Sequence, residues 1–99
     1  MIGFQWDSAK ARANKRKHAV SFEEAASIFR GLILSSADTR RDYGEPRWIA
    51  LGIDSNGIVL NVVYTFRGED IRIISSWKAS RDERETYQEA HKARPLREP

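Results

Sequence analysis

The amino-acid sequence predicts an α+β fold: two N-terminal helices, an antiparallel β-sheet of about four strands and a C-terminal helix. Three observations carry this. Two capping boxes, Ser21-Phe22-Glu23-Glu24 and Ser80-Arg81-Asp82-Glu83, place a serine three residues before a glutamate, so that each satisfies the other's free backbone donor at a helix start. Between the boxes the apolar residues alternate with period two. Asn56-Gly57 and Gly68 then mark hairpin turns between alternating segments.

Met1 to Phe4 reads as a short edge strand. Asp7 caps a helix over residues 8–17, with Ala9 and Ala13 on its thin apolar side. Ser21 opens a second helix, to Arg30, whose Phe22, Ala25, Ala26, Ile28 and Phe29 face a core and which Gly31 ends. Leu32 to Ser35 is a strand, Thr39 to Glu45 a polar loop, and Arg47 to Ile53 a second strand. Ile58 to Arg67 is a third strand. Its Ile58, Leu60, Val62, Tyr64 and Phe66 point one way, and its Val59, Asn61, Val63, Thr65 and Arg67 the other. Ile71 to Lys78 is a fourth, and a helix from Ser80 runs to His91. The expected arrangement has all helices on one sheet face. The opposite face stays uncovered and polar, with Arg47, Thr65 and Arg67 near one another. The reading is one domain over residues 1–99, with 93–99 as a flexible tail.

At 99 residues and 40% hydrophobic content, one core is the natural expectation. The absence of cysteine excludes disulfides and thiolate metal sites, and fits a cytoplasmic location. No apolar run reaches transmembrane length, no signal-peptide core is visible, and no membrane partner is expected. The net charge of +3 is modest, but its distribution is not. Lys10, Arg12, Lys15, Arg16, Lys17 and His18 follow one another without an acid between them, which suits a polyanion or an acidic protein, or simply a solvated helix face. Twelve of the 17 basic residues are arginine, whose planar fork matches phosphate.

Several chemistries are unsupported. There is no HExxH, and two histidines alone do not build a zinc site; no metal or cofactor is expected. Phosphate-binding glycine loops and a Gly-x-Ser-x-Gly elbow are also missing. The remaining set of arginines, lysines, carboxylates and one central histidine suits metal-independent RNA cleavage. That reaction needs a base at the ribose 2′-hydroxyl, cations around the phosphorus and an acid at the leaving 5′-oxygen. His18 can exchange the proton. Arg47, Arg67 and Arg72 can stabilise the developing charge, and Glu45 can act as base or orient a neighbour. DNA, lacking the 2′-hydroxyl, would be spared.

Each residue also has a plainer reading. His18 is then a polar residue in the joint between two helices, Glu45 an ion-pair partner of Arg47, and Arg72 a strand arginine tied to Glu69 or Asp70. Trp6, Trp48 and Trp77 are core or interface anchors and not base-stacking platforms. His91 is solvated.

The motif Phe4-x-Trp6-Asp7-x-x-Lys10-x-x-x-Asn14-x-x-Lys17-His18-x-Val20-x-Phe22-x-Glu24-Ala25 resembles the N-terminal signature of BrnT-type toxins. The likeness continues through Gly44-Glu45-x-Arg47, Arg72-Ile73-Ile74-Ser75 and Ala79-x-x-x-Glu83-Arg84-x-x-Tyr87, so it spans nearly the whole chain. The resemblance implies a RelE-like fold. It implies a ribosome-independent endoribonuclease of a type II toxin–antitoxin pair, neutralised by a BrnA-type ribbon-helix-helix antitoxin, with operator DNA bound only through that antitoxin. By motif, the catalytic candidates are Lys17, His18, Glu45, Arg47 and Arg72; Arg67 joins them from strand geometry. RNA-binding candidates are Lys10, Lys15, Arg16, Trp77 and Lys78.

The sequence departs from the family pattern twice. Ala19 stands where the family usually has glycine, and Ser75-Ser76-Trp77-Lys78 stands where it often reads Ser-Ala-Arg, which gives Lys78 the place of a missing cation. These departures keep an alternative open: a non-catalytic RNA- or protein-binding module that acts with an antitoxin in operon repression.

Overall fold

The computed structural model describes residues 2–93. The element order is β1 (Phe4–Gln5), α1 (Ser8–His18), α2 (Phe22–Ser27) with a 3-10 turn (Ile28–Arg30), β2 (Ile33–Ala37), β3 (Trp48–Ile53), β4 (Val59–Arg67), β5 (Asp70–Lys78) and α3 (Arg81–Lys92). The expected tail falls largely on residues 94–99, outside the described residues. The strands form one five-stranded sheet in the order β1-β5-β4-β3-β2. Its ladders are antiparallel except for β1, which runs parallel to β5 through Phe4–Ile71 and Gln5–Arg72.

The local signals act as the chain chemistry requires. The Asp7 carboxylate accepts from the Lys10 N–H, capping α1. Both capping boxes are complete, with Ser21 and Glu24, and Ser80 and Glu83, exchanging bonds. Asp54 accepts from the N–H groups of Asn56 and Ile58, fixing the turn that contains Gly57 at φ 82°.

The three helices do not share one sheet face. Helices α1 and α2 bury Val20, Phe22, Ala25 and Ile28 against Ala50, Leu60, Val62, Tyr64, Ile71 and Ile73. Helix α3 packs Tyr87 against Leu51 and Val59 on the opposite face, with Leu32 and Leu34 beside them. The Tyr87 hydroxyl donates to the Leu32 carbonyl at 2.8 Å, and Asn61 donates to Glu83 at 3.1 Å. Leu51 and Val59 lie on the alternate side of their strands from Ala50 and Leu60, so a second apolar patch needs its own cover. The expectation of an uncovered polar face is corrected accordingly: α3 closes one end, and Asn61, Val63 and Thr65 are buried.

One register shift matters for the site. Val63 pairs with Ser75, but Tyr64 pairs with Ile73, so Ile74 is an extra residue in β5. This bulge changes the strand's phase. Arg72, opposite Thr65, and Trp77, opposite Asn61, therefore share the α3 face although five positions separate them.

Candidate active site

The open end of the α3 face holds most of the predicted residues. Arg72 pairs in register with Thr65. Arg47 directly precedes the registered pair Trp48–Tyr64 and so lies beside Thr65 from the other strand. The Thr65 hydroxyl donates to the Pro46 carbonyl at 2.7 Å, pinning the end of the preceding loop to β4. Glu45 sits on that pinned loop between two guanidiniums. Arg67 Nη1 donates to its Oε1 at 2.7 Å, and Arg47 Nη2 lies 3.3 Å from Oε2. Arg67 first, and Arg47 with it, holds the Glu45 carboxyl below the usual carboxylate range. The Arg47 guanidinium also stacks over the Tyr43 ring at 4.2 Å.

Arg72 is half-buried, and no carboxylate among the described residues lies within 4.0 Å of it. Of its two suggested partners, Asp70 instead accepts from the Gln5 side chain.

His18 reaches this face from α1. It is the last residue of the helix and not part of the interhelical joint, because Ala19 takes the left-handed position just beyond it, at φ 59° and ψ 27°. Ala19 is the one non-glycine residue with positive φ among those described. The turn that favours glycine is therefore kept, at the cost of strain in an alanine. One helical turn earlier, the buried Asn14 side chain bonds both backbone groups of Ser76: Nδ2 donates to its carbonyl at 2.9 Å, and Oδ1 accepts from its N–H at 3.1 Å. The His18 ring lies 6.2 Å from the Trp77 ring, one residue further along β5.

The structure thus gathers two groups. Glu45, Arg47 and Arg67, with Arg72 in the adjoining row, form one. His18 and Trp77 form the other. Five strand positions, roughly 15 Å, separate Arg72 from Trp77. Between the groups runs a groove of about 310 Å³, lined by Arg40, Arg41, Tyr43, Arg47, Ile74 and Ser75 among others.

Other predicted residues lie further off. Lys10 and Lys17 flank Asn14 and His18 on α1 and are exposed, whereas Arg16 is turned about 200° from Asn14. Lys15 approaches Glu24 at 3.8 Å. Lys78 pairs with Leu60 and so belongs to the α1 side of the sheet, opposite Trp77. The structure does not bring it to the place of the missing cation.

Three groove residues, and the carboxylate that one of them grips, went unread in the sequence. Arg40, Arg41 and Tyr43 belong to the Thr39 to Glu45 stretch that reads only as polar loop, and Asp38 falls just before it; the signal was the dense Arg40-Arg41-Asp42-Tyr43 run. The Asp38 side chain is fully buried, and Arg40 grips it through Nε at 2.8 Å and Nη2 at 2.9 Å. That grip holds the Asp38 carboxyl far below the ordinary range.

No group of histidine, cysteine, aspartate and glutamate suited to a metal ion occurs among the described residues. Among these residues, no helix is long and apolar enough to cross a membrane.

Comparison with known proteins is specific. No curated protein matches the chain. A crystal structure of the Brucella abortus ribonuclease toxin BrnT superimposes with a TM-score of 0.61 at 23% identity, covering 82% of this chain and all of the other. This likeness establishes the fold. The family model described as the ribonuclease toxin BrnT of type II toxin–antitoxin systems matches residues 6–83. The chain is therefore a member of the BrnT ribonuclease toxin family of type II toxin–antitoxin systems.

Proposed function

We propose that the toxin cleaves RNA without a metal ion and without the ribosome, by attack of a ribose 2′-hydroxyl on the adjacent phosphorus. The attack forms a 2′,3′-cyclic phosphate and breaks the bond to the 5′-oxygen. One proton leaves the 2′-hydroxyl and one is delivered to the departing oxygen. The observation that carries this reading is the basic groove lined by Arg40, Arg41 and Arg47, with the His18 ring beside the Trp77 that Arg40 covers and the Glu45 cluster beside Arg47. A phosphate seated over Ile74 and Ser75 would lie between the two.

His18 is the group suited to one of the two proton transfers. Arg47 and Arg72 stabilise the charge growing on the phosphorane, with Lys17 adding charge from the helix end. Glu45 is better suited to holding arginines than to taking a proton, because a carboxylate kept anionic by Arg67 and Arg47 is a weak base. Its role is to fix Arg47 and Arg67 against each other's repulsion.

The family implies an RNA substrate and an antitoxin. A ribbon-helix-helix antitoxin of the BrnA type would neutralise the toxin by covering the groove with acidic side chains, and operator DNA would be held through the antitoxin. The expected compartment is the cytoplasm. A complex that leaves the groove open would contradict this mode of inhibition.

The test is cleavage of RNA by purified toxin in EDTA, beside His18→Ala and Arg72→Ala. Both variants should lose at least 100-fold in rate, about what removal of one group that stabilises the transition state costs. Cleavage that requires a divalent ion, or that survives both substitutions, would sink the mechanism. Salt-sensitive RNA binding with no product would favour the non-catalytic alternative.

A further inference from the structure

Arg40 is held in an unusual way for an exposed arginine. Its Nε and Nη2 point into the protein and grip the buried Asp38 carboxylate, and its own backbone N–H donates to the same carboxylate at 3.2 Å. The guanidinium carbon lies 5.4 Å from the centre of the Trp77 ring. The side chain is nevertheless 55% exposed, and it lines the groove.

This mounting leaves a defined set of donors. A guanidinium has five N–H groups. Asp38 takes the fork made by Nε and Nη2, so the end-on fork made by Nη1 and the second Nη2 proton remains. Charge matters as well. The cation is already neutralised by a buried anion, whereas Arg41 and Arg47 line the same groove with less or no such compensation. A phosphate gains more from those. The Arg40 fork is better matched to a neutral partner with two adjacent acceptors. Among the bases, guanine offers such a pair in O6 and N7. Trp77 backs the Arg40 guanidinium and Tyr43 that of Arg47, and unpaired RNA bases are read by stacking on aromatic rings or guanidinium planes combined with edge hydrogen bonds.

From this geometry we infer that Arg40, mounted on Asp38 and Trp77, reads a guanine base in the RNA that occupies the groove. The inference rests on the groove being the RNA site. It does not depend on how the bond is cut.

The experiment uses short single-stranded RNAs that are 2′-O-methylated throughout and so cannot be cleaved by attack of the 2′-hydroxyl. Each carries one guanine, 7-deazaguanine or adenine in an otherwise uridine background. Wild-type toxin should bind the guanine strand about tenfold more tightly than the other two. Arg40→Lys keeps a cation beside Asp38, which protects the fold, but loses the fork. It should bind all three strands alike. Equal binding by the wild-type protein, or guanine preference retained in Arg40→Lys, would overturn the inference. The cleavage mechanism is tested separately by the His18→Ala digest, so one proposal can fail without the other.

Discussion

The Asn14 side chain serves as the missing strand neighbour of Ser76. β1 pairs with β5 only as far as Arg72, and beyond it the β5 edge faces α1. There the Asn14 amide offers one acceptor and two donors, and it satisfies the Ser76 N–H, the Ser76 carbonyl and the Val20 carbonyl together. The same bonds fix α1 in height against β5, which sets His18 beside Trp77.

Asn14→Ala removes partners from three buried backbone groups. The expected loss is about 2–4 kcal/mol, because each unmet buried group carries a desolvation penalty. For a domain of this size the midpoint of thermal unfolding should fall by about 10–20 °C. Cleavage should also fall at temperatures where the variant is still folded, since His18 loses its register. A variant that melts within a few degrees of wild type would refute this role.

Ala19→Gly should stabilise the toxin by about 0.5–1 kcal/mol. Glycine relieves the left-handed strain at φ 59°, and part of that gain is offset by its greater freedom in the unfolded chain. Urea unfolding checks this. Ala19→Val should move the midpoint the other way, because a β-branched side chain tolerates positive φ poorly.

Asp38 gives an acid-sensitive contribution of known sign. Its folded-state value lies below the ordinary 3.8, with Arg40 as the main cause. As the pH falls, the unfolded chain therefore takes up this proton first. The stabilisation is complete well above 3.8 and is lost as the pH drops towards the folded value. In unfolding curves between roughly pH 6 and pH 2, Asp38→Asn should lose less stability than wild type. Some slope should remain, because Asp7, Glu24, Glu45 and Glu83 are also lowered. Equal slopes would contradict the assignment.

Glu45→Gln keeps the shape but releases Arg47 and Arg67 from their common anion. The rate constant for cleavage should fall by about tenfold or more. Arg67→Ala should add little on the Glu45→Gln background if Arg67 acts through Glu45. A double-mutant cycle reads this directly, and strictly additive losses would argue that Arg67 touches the RNA itself.

The fold was legible because its signals are local. Two capping boxes, an Asn-Gly turn and period-two alternation need only a few neighbouring residues to be recognised. What escaped was non-local. That Val59 and Leu51 need a separate cover becomes visible only once β3 and β4 are paired and α3 has a place to go. The face of Lys78 depends on the extra residue at Ile74, which period-two counting does not contain. Glu45, Arg47 and Arg67 were legible as neighbours, because strand alternation and a two-residue separation suffice. Arg40 was not, because its meaning comes from Asp38, whose burial no hydropathy pattern announces, and from Trp77, 37 positions away.

The bulge at Ile74 also bears on which length changes this chain can tolerate. A residue lost between Arg72 and Trp77 would restore a regular ladder, and the resulting interval of four would still leave the arginine and the indole on one side of the sheet. Insertions between β2 and β3 would instead displace residues of the site, since that loop carries Asp38, Arg40, Tyr43 and Glu45. Related chains can therefore keep the arginine and the aromatic residue on one face with an interval of five and a bulge, or with an interval of four and none, whereas a lone insertion into or deletion from a regular ladder would part them.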